Sequence, residues 1–423
     1  MISKEKITAK LPGLRISLYS EDGSVLPIES VKRDRYVTVV IEVCDTDGTN
    51  VKNIPAEFIG FGCGSWHVKP PKRNYGIKFK ETQALFNSPA SREWSLIAGV
   101  CHNKETSMLV TDSAFSLTRA VFRHIEYAAR TLATEVYING AYHGVYTLSE
   151  RILAEKNRID ITSEHGVLDT GYLLNYAWGG HTAFHPKISK FQVTGLKQAP
   201  PGVQGKQRDA LFFIIESPDA NGIGVKRGAT ESGYAAQVDF IKAETQKFAD
   251  ALISLHYGKL KEIADIPSFI DNLIVQELYK NADYGSGSCY IYRKPGPPFG
   301  DGKFYAGPPW DFDWTINGDP DGWYVTAGEI YPCPFATYMY AAPGCKGAVI
   351  RRWKEVSAEV KEFLNSFFNR YLDGPEYKYI FGKNFAHWDG KGLEQAANDW
   401  ATDTKNLRDW LLNRANWFDE QWS

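Results

Sequence analysis

Residues 133–152, ATEVYINGAYHGVYTLSERI, leave the chain few choices. Two runs rich in Val, Ile, Tyr and Thr flank Asn139-Gly140, a pair suited to the two-residue type I′ turn, which needs positive φ at both central positions. The stretch therefore predicts a β-hairpin. An isolated hairpin is barely stable in water, so this one must join a larger sheet. The upstream chain offers the partners. LRISLYS from Leu14 and YVTVVIEV from Tyr36 alternate or run β-branched. RNYGIKFKE from Arg73 puts Tyr75, Ile77 and Phe79 on one face and Lys78 on the other.

The period then changes. TDSAFSLTRAVFRHIEYAAR, residues 111–130, predicts an amphipathic helix capped by Asp112 or Ser113. GYAAQVDFIKAETQKFADALISLHYGKL, residues 233–260, predicts one long helix. DIPSFIDNLIVQELYK predicts another, with Asp265 as its cap and Pro267 in its first turn. Beyond Val349 the pattern is helical to NLRDWLLNRANWFDEQW. Strands followed by helices argue for an α+β protein in two lobes. The boundaries read as a β-rich segment over 1–58, a strand-rich lobe over 59–180 and a helical lobe over 181–423.

A net charge of −2 offers no basic field for nucleic acid. The first twenty residues carry no apolar core of a signal peptide, and the longest apolar run, LFFII from Leu211, is far too short for a bilayer. The expectation is a protein with neither signal peptide nor membrane span. The six cysteines are scattered without a CxxC and are expected to be reduced; Cys333 and Cys345 share a Pro/Gly-rich loop, and whether they pair stays open.

Acids set among large aromatics carry the chemistry. Asp283 stands in the loop KNADYGSGS, and Asp311 and Asp313 stand in PPWDFDWTING between Trp310, Phe312 and Trp314. Charges beside apolar groups are costly unless something pairs with them, and a metal ion is one such partner. If the segment is extended, Asp311 and Asp313 point to the same side. Other motifs are weaker. The DTDGTN turn lacks the distal Glu of an EF-hand. His181 and His185 have a zinc-like spacing but no Cys or acid beside them. The glycines of GFGCGS do not lead into a helix, as a dinucleotide loop would.

A glycine-rich turn, a lysine strand and a helix, followed by a helical half with two acidic loops around a hairpin, give the layout of a protein-kinase-like fold. The local motifs resemble the spore coat protein H (CotH) kinases, which are atypical protein kinases. GFGCGSW…KRNYGIKF, SLTRAVF, EVYINGAYHGVYTLSERI, GYLLNYA, NADYGSGSCYIY, PPWDFDWTING and DWLLNRANWFD follow in the family's order from about Ile59 onward.

The resemblance implies a two-lobed atypical kinase that uses ATP with Mg²⁺ or Mn²⁺ and phosphorylates Ser or Thr of a partner protein. It puts Asp283 at the catalytic position and Asp311 at the metal-binding one, with Asp313 completing the metal site. Lys78 is the candidate phosphate-contacting lysine and Lys72 its runner-up. Arg119 matches a helix arginine that pairs with an acid or the phosphates. Glu126, taken as further along that helix, is an alternative partner for a lysine, and Glu150 falls near the nucleotide-binding edge.

The chain also departs from the pattern. Ser288 stands in the metal site in place of the Asn five residues after Asp283, with a hydroxyl that is a shorter and weaker ligand than an amide oxygen, and Phe61 and Cys63 replace an Arg and an Asn of the glycine-rich segment. The alternative expectation is thus a weak or inactive CotH-like binding module in a larger assembly. In either case the protein is cytoplasmic or built into a spore coat or virion.

Overall fold

A computed structural model describes residues 11–33, 35–45, 50–62, 66, 72–99, 107–179, 189–203, 205–206, 211–219 and 231–423. Cys63, Cys101, His181 and His185 lie outside them, as do most of the DTDGTN turn and the first ten residues. The chain divides into two units. The first comprises 1–113, 129–151 and 364–409; the second comprises 114–128, 152–363 and 410–423.

The first unit is built on a closed barrel. Its strands are β1 (Gly13–Tyr19), β2 (Val37–Cys44), β3 (Asn50–Gly60), β4 (Tyr75–Gln83), β5 (Ser91–Ile97), β6 (Thr131–Ile138) and β7 (Ala141–Glu150), in the order β1-β2-β3-β4-β5-β7-β6. The β1–β6 pair is parallel and closes the ring, so no strand of the barrel presents a free edge. The expected hairpin is β6–β7, with Asn139 at φ 50° and Gly140 at φ 84°. Asn139 also receives Leu18 N on its side-chain oxygen and donates to Leu26 O, fixing the turn to β1. Alternate residues fill the interior: Leu14, Ile16, Val39, Ile41, Phe58, Ile77, Phe79, Trp94, Leu96, Tyr146 and Leu148. The strands described within 1–58, β1, β2 and most of β3, therefore belong to this barrel.

His143 is sandwiched inside this unit. Its ring stacks on Tyr146 at 5.9 Å and meets Trp388 edge-on at 5.2 Å. Asn384 takes Val145 N at 2.9 Å, tying α7 (Pro375–Asp389) to β7. Residues 364–409, expected in the helical lobe, thus belong to the barrel unit.

The second unit holds a five-stranded sheet in the order β12-β11-β8-β10-β9, made of β8 (Tyr172–Trp178), β9 (Lys190–Phe191), β10 (Leu211–Ser217), β11 (Cys289–Arg293) and β12 (Phe304–Ala306). GYLLNYA forms β8 and so joins this unit, not the strand-rich lobe. The unit's helices are α2 (Glu231–Ile253), α3 (Tyr257–Ile263), α4 (Ile266–Leu278) and α5 (Pro334–Ala341). Phe248 stacks on Phe304 at 4.9 Å and on Phe335 at 5.8 Å, packing α2 against the sheet and α5. Helices α6 (Pro343–Leu372) and α8 (Leu393–Gln421) each contribute to both units. Among the described residues no helix is long and apolar enough to cross a membrane.

The helix expected over 111–130 is much shorter: α1 runs Val110–Ala120. Asp112 and Ser113 lie inside it, and Asp112 accepts from Thr131 Oγ1 and Tyr371 OH instead of capping. The helix stops because its next backbone groups are claimed elsewhere. Val121 O accepts from Arg352 Nη2 at 3.1 Å, and His124 N donates to the buried Asp271 at 3.1 Å. Glu126 therefore stands beyond the helix, where it accepts from Tyr292 OH and pairs with Lys294. The expected long helix over 233–260 is broken too. It ends at Ile253, and His256 Nδ1 accepts Lys259 N to cap α3. Asp265 does cap α4, accepting Ser268 N at 2.9 Å. The four cysteines among the described residues are free; the neighbour of Cys333 is Cys289, at 3.7 Å between sulfurs, not Cys345.

Candidate metal site

The site grows from the end of α4. Lys280 takes left-handed backbone, φ 45°, while Lys280 N bonds Glu277 O and Asn281 N bonds Gln276 O. This is a Schellman ending, usually given to glycine. Here a lysine is held in place because Nζ donates to Asp319 O and Asp321 O. Burial pushes its ammonium down to about 8.

Asn281 is the hub of the loop that follows. Its amide donates to Gln276 Oε1 at 2.9 Å and to Asp311 O at 3.1 Å, and its oxygen accepts Asp283 N at 3.0 Å. One buried side chain thus aligns both acidic motifs. Asp283 opens a 3-10 turn, Asp283–Gly285, and accepts Ser286 Oγ at 3.3 Å. Gly285 is required there: a Cβ would lie 1.7 Å from Tyr331 O. Two ladder-like bonds, Ala282 N to Trp314 O and Ile316 N to Tyr279 O, bind this loop to the second motif.

The aromatics around the acids face inward. Phe115 stacks on Trp310 at 5.6 Å and meets Phe312 edge-on at 5.8 Å; Tyr279 meets Phe312 at 5.4 Å. They anchor the loop in the core, which leaves the acids half-buried at its surface. Asp311 has φ 61°, so this segment is not extended, contrary to expectation. The three carboxylates still converge: one oxygen each from Asp283, Asp311 and Asp313 lies within 4.8 Å of the others. Ser288, at φ 53°, donates Oγ to Asp311 Oδ2 at 2.9 Å. Three like charges this close repel, and a cation relieves that repulsion. Hard oxygen donors of this kind suit Mg²⁺ or Mn²⁺.

Of the remaining expected residues, Lys72, Lys78 and Glu150 belong to the barrel unit and Arg119 to the other. Lys72 is fully buried in the barrel unit, where Nζ donates to Ala98 O, Val145 O and Met108 Sδ and sits 4.5 Å from the Tyr146 ring centre. Burial holds its pKa well below the usual lysine value. Lys78 projects from the outer side of β4, between its cross-strand neighbours Glu57 and Glu93. Glu150 is buried at the end of β7 and accepts Arg130 N at 2.9 Å and Arg130 Nη1 at 3.3 Å. Arg119, at the end of α1, donates to Ser116 Oγ at 2.7 Å.

Sequence reasoning missed Asn281, Lys280 and the pair that braces the second loop. Glu277 and Arg414 are both fully buried and bonded at 2.6 Å. Glu277 also accepts Tyr324 N and Thr326 N, and Arg414 donates to Pro320 O and Gly322 O. The available signal was a charged residue inside the apolar run LIVQEL and another inside LLNRANW.

A protein-family model described as CotH kinase protein matches residues 63–418. A search of curated proteins finds no match.

Proposed function

The chain belongs to the CotH kinase family, and on that footing we propose that it is an atypical protein kinase transferring the γ-phosphoryl group of ATP to a Ser or Thr hydroxyl of a partner protein. The observation that carries this reading is the convergence of Asp283, Asp311 and Asp313 from two separate loops. The barrel unit and the helix-rich unit would then correspond to the two lobes of a kinase-like fold.

Asp311 and Asp313, with Ser288 beside them, would hold Mg²⁺ or Mn²⁺, which supplies charge neutralisation for the phosphates. Asp283 orients the acceptor hydroxyl and takes its proton as the bond from its oxygen to the γ-phosphorus forms and the bond to the bridging oxygen of ADP breaks. Asn281 keeps the two loops in register. Of the two lysines, Lys78 is the better phosphate contact. The ammonium of Lys72 is already spent on two carbonyls and a thioether, which supports a structural role. The acceptor would be a protein of an assembly such as a spore coat or virion.

A second reading has its own observation. The Ser288 hydroxyl stands where the family has an amide and already bonds Asp311, as suits a non-catalytic binding module.

The test is transfer of labelled phosphate from ATP to a generic protein acceptor in Mg²⁺ and in Mn²⁺. Wild type should label the acceptor. Asp283→Ala should slow transfer by about two to four orders of magnitude while keeping ATP affinity. Absence of both transfer and nucleotide binding in either metal overturns the kinase reading.

A further inference from the structure

A cavity of about 190 Å³ lies within the second unit, and none of the residues of the acidic site lines it. Its apolar lining comes from Ile266 and Ile270, one turn apart on α4, and from Tyr257 at the start of α3. From α6 it is lined by Ala348, Arg351, Arg352 and Glu355, whose i, i+3, i+4, i+7 spacing puts them on one helix face. We propose that this cavity binds the C-terminal residue of a partner protein, with the apolar side chain inside and the carboxylate on Arg351. The inference stands apart from the kinase reading, since none of these residues belongs to the site proposed for phosphoryl transfer.

Size is the first argument. Sites for drug-sized molecules occupy roughly 300–1,000 Å³, so this cavity has room for little more than one large side chain. Ile266 and Ile270 are buried and offer only hydrocarbon to it. Tyr257 packs closely on α6 because residue 344 is glycine: a Cβ there would lie 2.6 Å from Tyr257 Cγ. Ala348 adds no more than a methyl group.

Charge is the second. Asp271 is fully buried and accepts Arg352 Nε at 2.7 Å, Arg352 Nη2 at 3.3 Å, His124 N at 3.1 Å and His124 Nδ1 at 3.0 Å. These bonds fix Arg352 and His124, two further residues of the lining. Arg352 also reaches Glu355 at 3.4 Å, so the two acids nearest the cavity share one guanidinium. Arg351 is the cation left over. Among the described residues it has neither an ion pair nor a hydrogen bond, and its Nη1 lies back toward Gly347, where a Cβ would be 3.5 Å away.

The two arguments meet in one kind of ligand. A space for a single side chain and an unmatched guanidinium line the same cavity, so one residue must supply both an apolar group and an anion. The last residue of a chain carries an apolar side chain and a carboxylate on the same α-carbon. A guanidinium presents paired N–H groups that suit both oxygens of that carboxylate.

The experiment titrates the full chain with N-acetyl-leucine, N-acetyl-leucinamide, N-acetyl-serine and the blocked dipeptide acetyl-Leu-Glu-amide, followed by ligand-observed NMR. N-acetyl-leucine should bind. The leucinamide, which lacks the charge, and the serine analogue, which lacks the apolar group, should each bind at least about tenfold more weakly. Arg351→Ala should abolish the preference for acid over amide. Ala348→Trp, at a half-buried position on the helix face, should fill the cavity and remove binding while the melting temperature stays near that of wild type. No binding of N-acetyl-leucine, equal affinity for acid and amide, or an unchanged preference in Arg351→Ala each overturns the proposal, as does normal binding in Ala348→Trp. Binding of acetyl-Leu-Glu-amide as tight as that of N-acetyl-leucine would assign the cavity to an internal acidic segment and overturn the terminal residue as its occupant.

Discussion

Ser288 Oγ donates to Asp311 Oδ2 across 2.9 Å, and both residues hold left-handed backbone, at φ 53° and 61°. Such backbone is uncommon outside glycine and costs on the order of 1–3 kcal/mol per residue, so the surroundings must impose it. Here β11 leaves directly from Ser288, and β12 returns toward Asp311 through Gly307 and two prolines. The two residues pin together the open ends of that hairpin. The strain sits where three carboxylates must be held close.

Asp311→Asn keeps a residue that tolerates left-handed backbone but removes the charge. Metal-dependent ATP binding should disappear in calorimetry while the melting temperature stays within a few degrees of wild type. Unchanged Mg-ATP affinity would dismiss Asp311 as a metal ligand.

Ser288→Asn tests the kinase against the binding module. Asparagine suits φ 53° at least as well as serine, so stability should hold. Its amide oxygen is a stronger metal donor than a hydroxyl, and magnesium is the more exacting ion. An active wild type should prefer Mn²⁺, and the variant should gain rate in Mg²⁺. A rate that stays flat in both metals speaks against Ser288 belonging to the metal site.

Arg414→Met strips the partner from a fully buried carboxylate. Breaking such a pair from one side costs about 3–5 kcal/mol, measurable as a lower denaturant midpoint. Arg414→Met/Glu277→Gln should recover part of that loss, since no buried charge is then stranded. A single variant as stable as wild type would show that the pair contributes little.

His143 gives the barrel unit a pH dependence. Burial, with Lys72 and His387 adding positive charge nearby, lowers its pKa from 6.5 to about 4. The unfolded chain therefore binds more protons between these values. Its contribution to stability is complete above about pH 6.5, declines as pH falls toward 4, and changes no further below that. His143→Phe should flatten this part of the melting-temperature profile. An identical slope in wild type and variant would remove His143 as the cause.

Much of this was legible in the chain. Asn139-Gly140 marked its turn, Asp265 its cap, and the alternation of Tyr75, Ile77 and Phe79 its inward face, because each depends on neighbours in sequence. The convergence of Asp283 with Asp311 and Asp313 was approached through motif order. The premature end of α1 was invisible, because the groups that stop it, Asp271 and Arg352, are 147 and 231 residues from the atoms they bond. The barrel membership of β1, β2 and β3 was missed for a similar reason: closure depends on β1 meeting β6, a pairing that local pattern does not encode. Asn281 read as one polar loop residue among several, and only its three bonds distinguish it.

The distance in sequence between Glu277 and Arg414, 137 residues, also sets an order of events during synthesis. All three acids leave the ribosome before the arginine that braces the loop behind them. Until α8 is made, Glu277 has no cation, and the loop carrying Tyr324 and Thr326 must hold its shape without it. Chains emerge N-terminus first, over seconds to minutes. A growing chain would thus pass through a period in which its acids exist but the frame behind them does not.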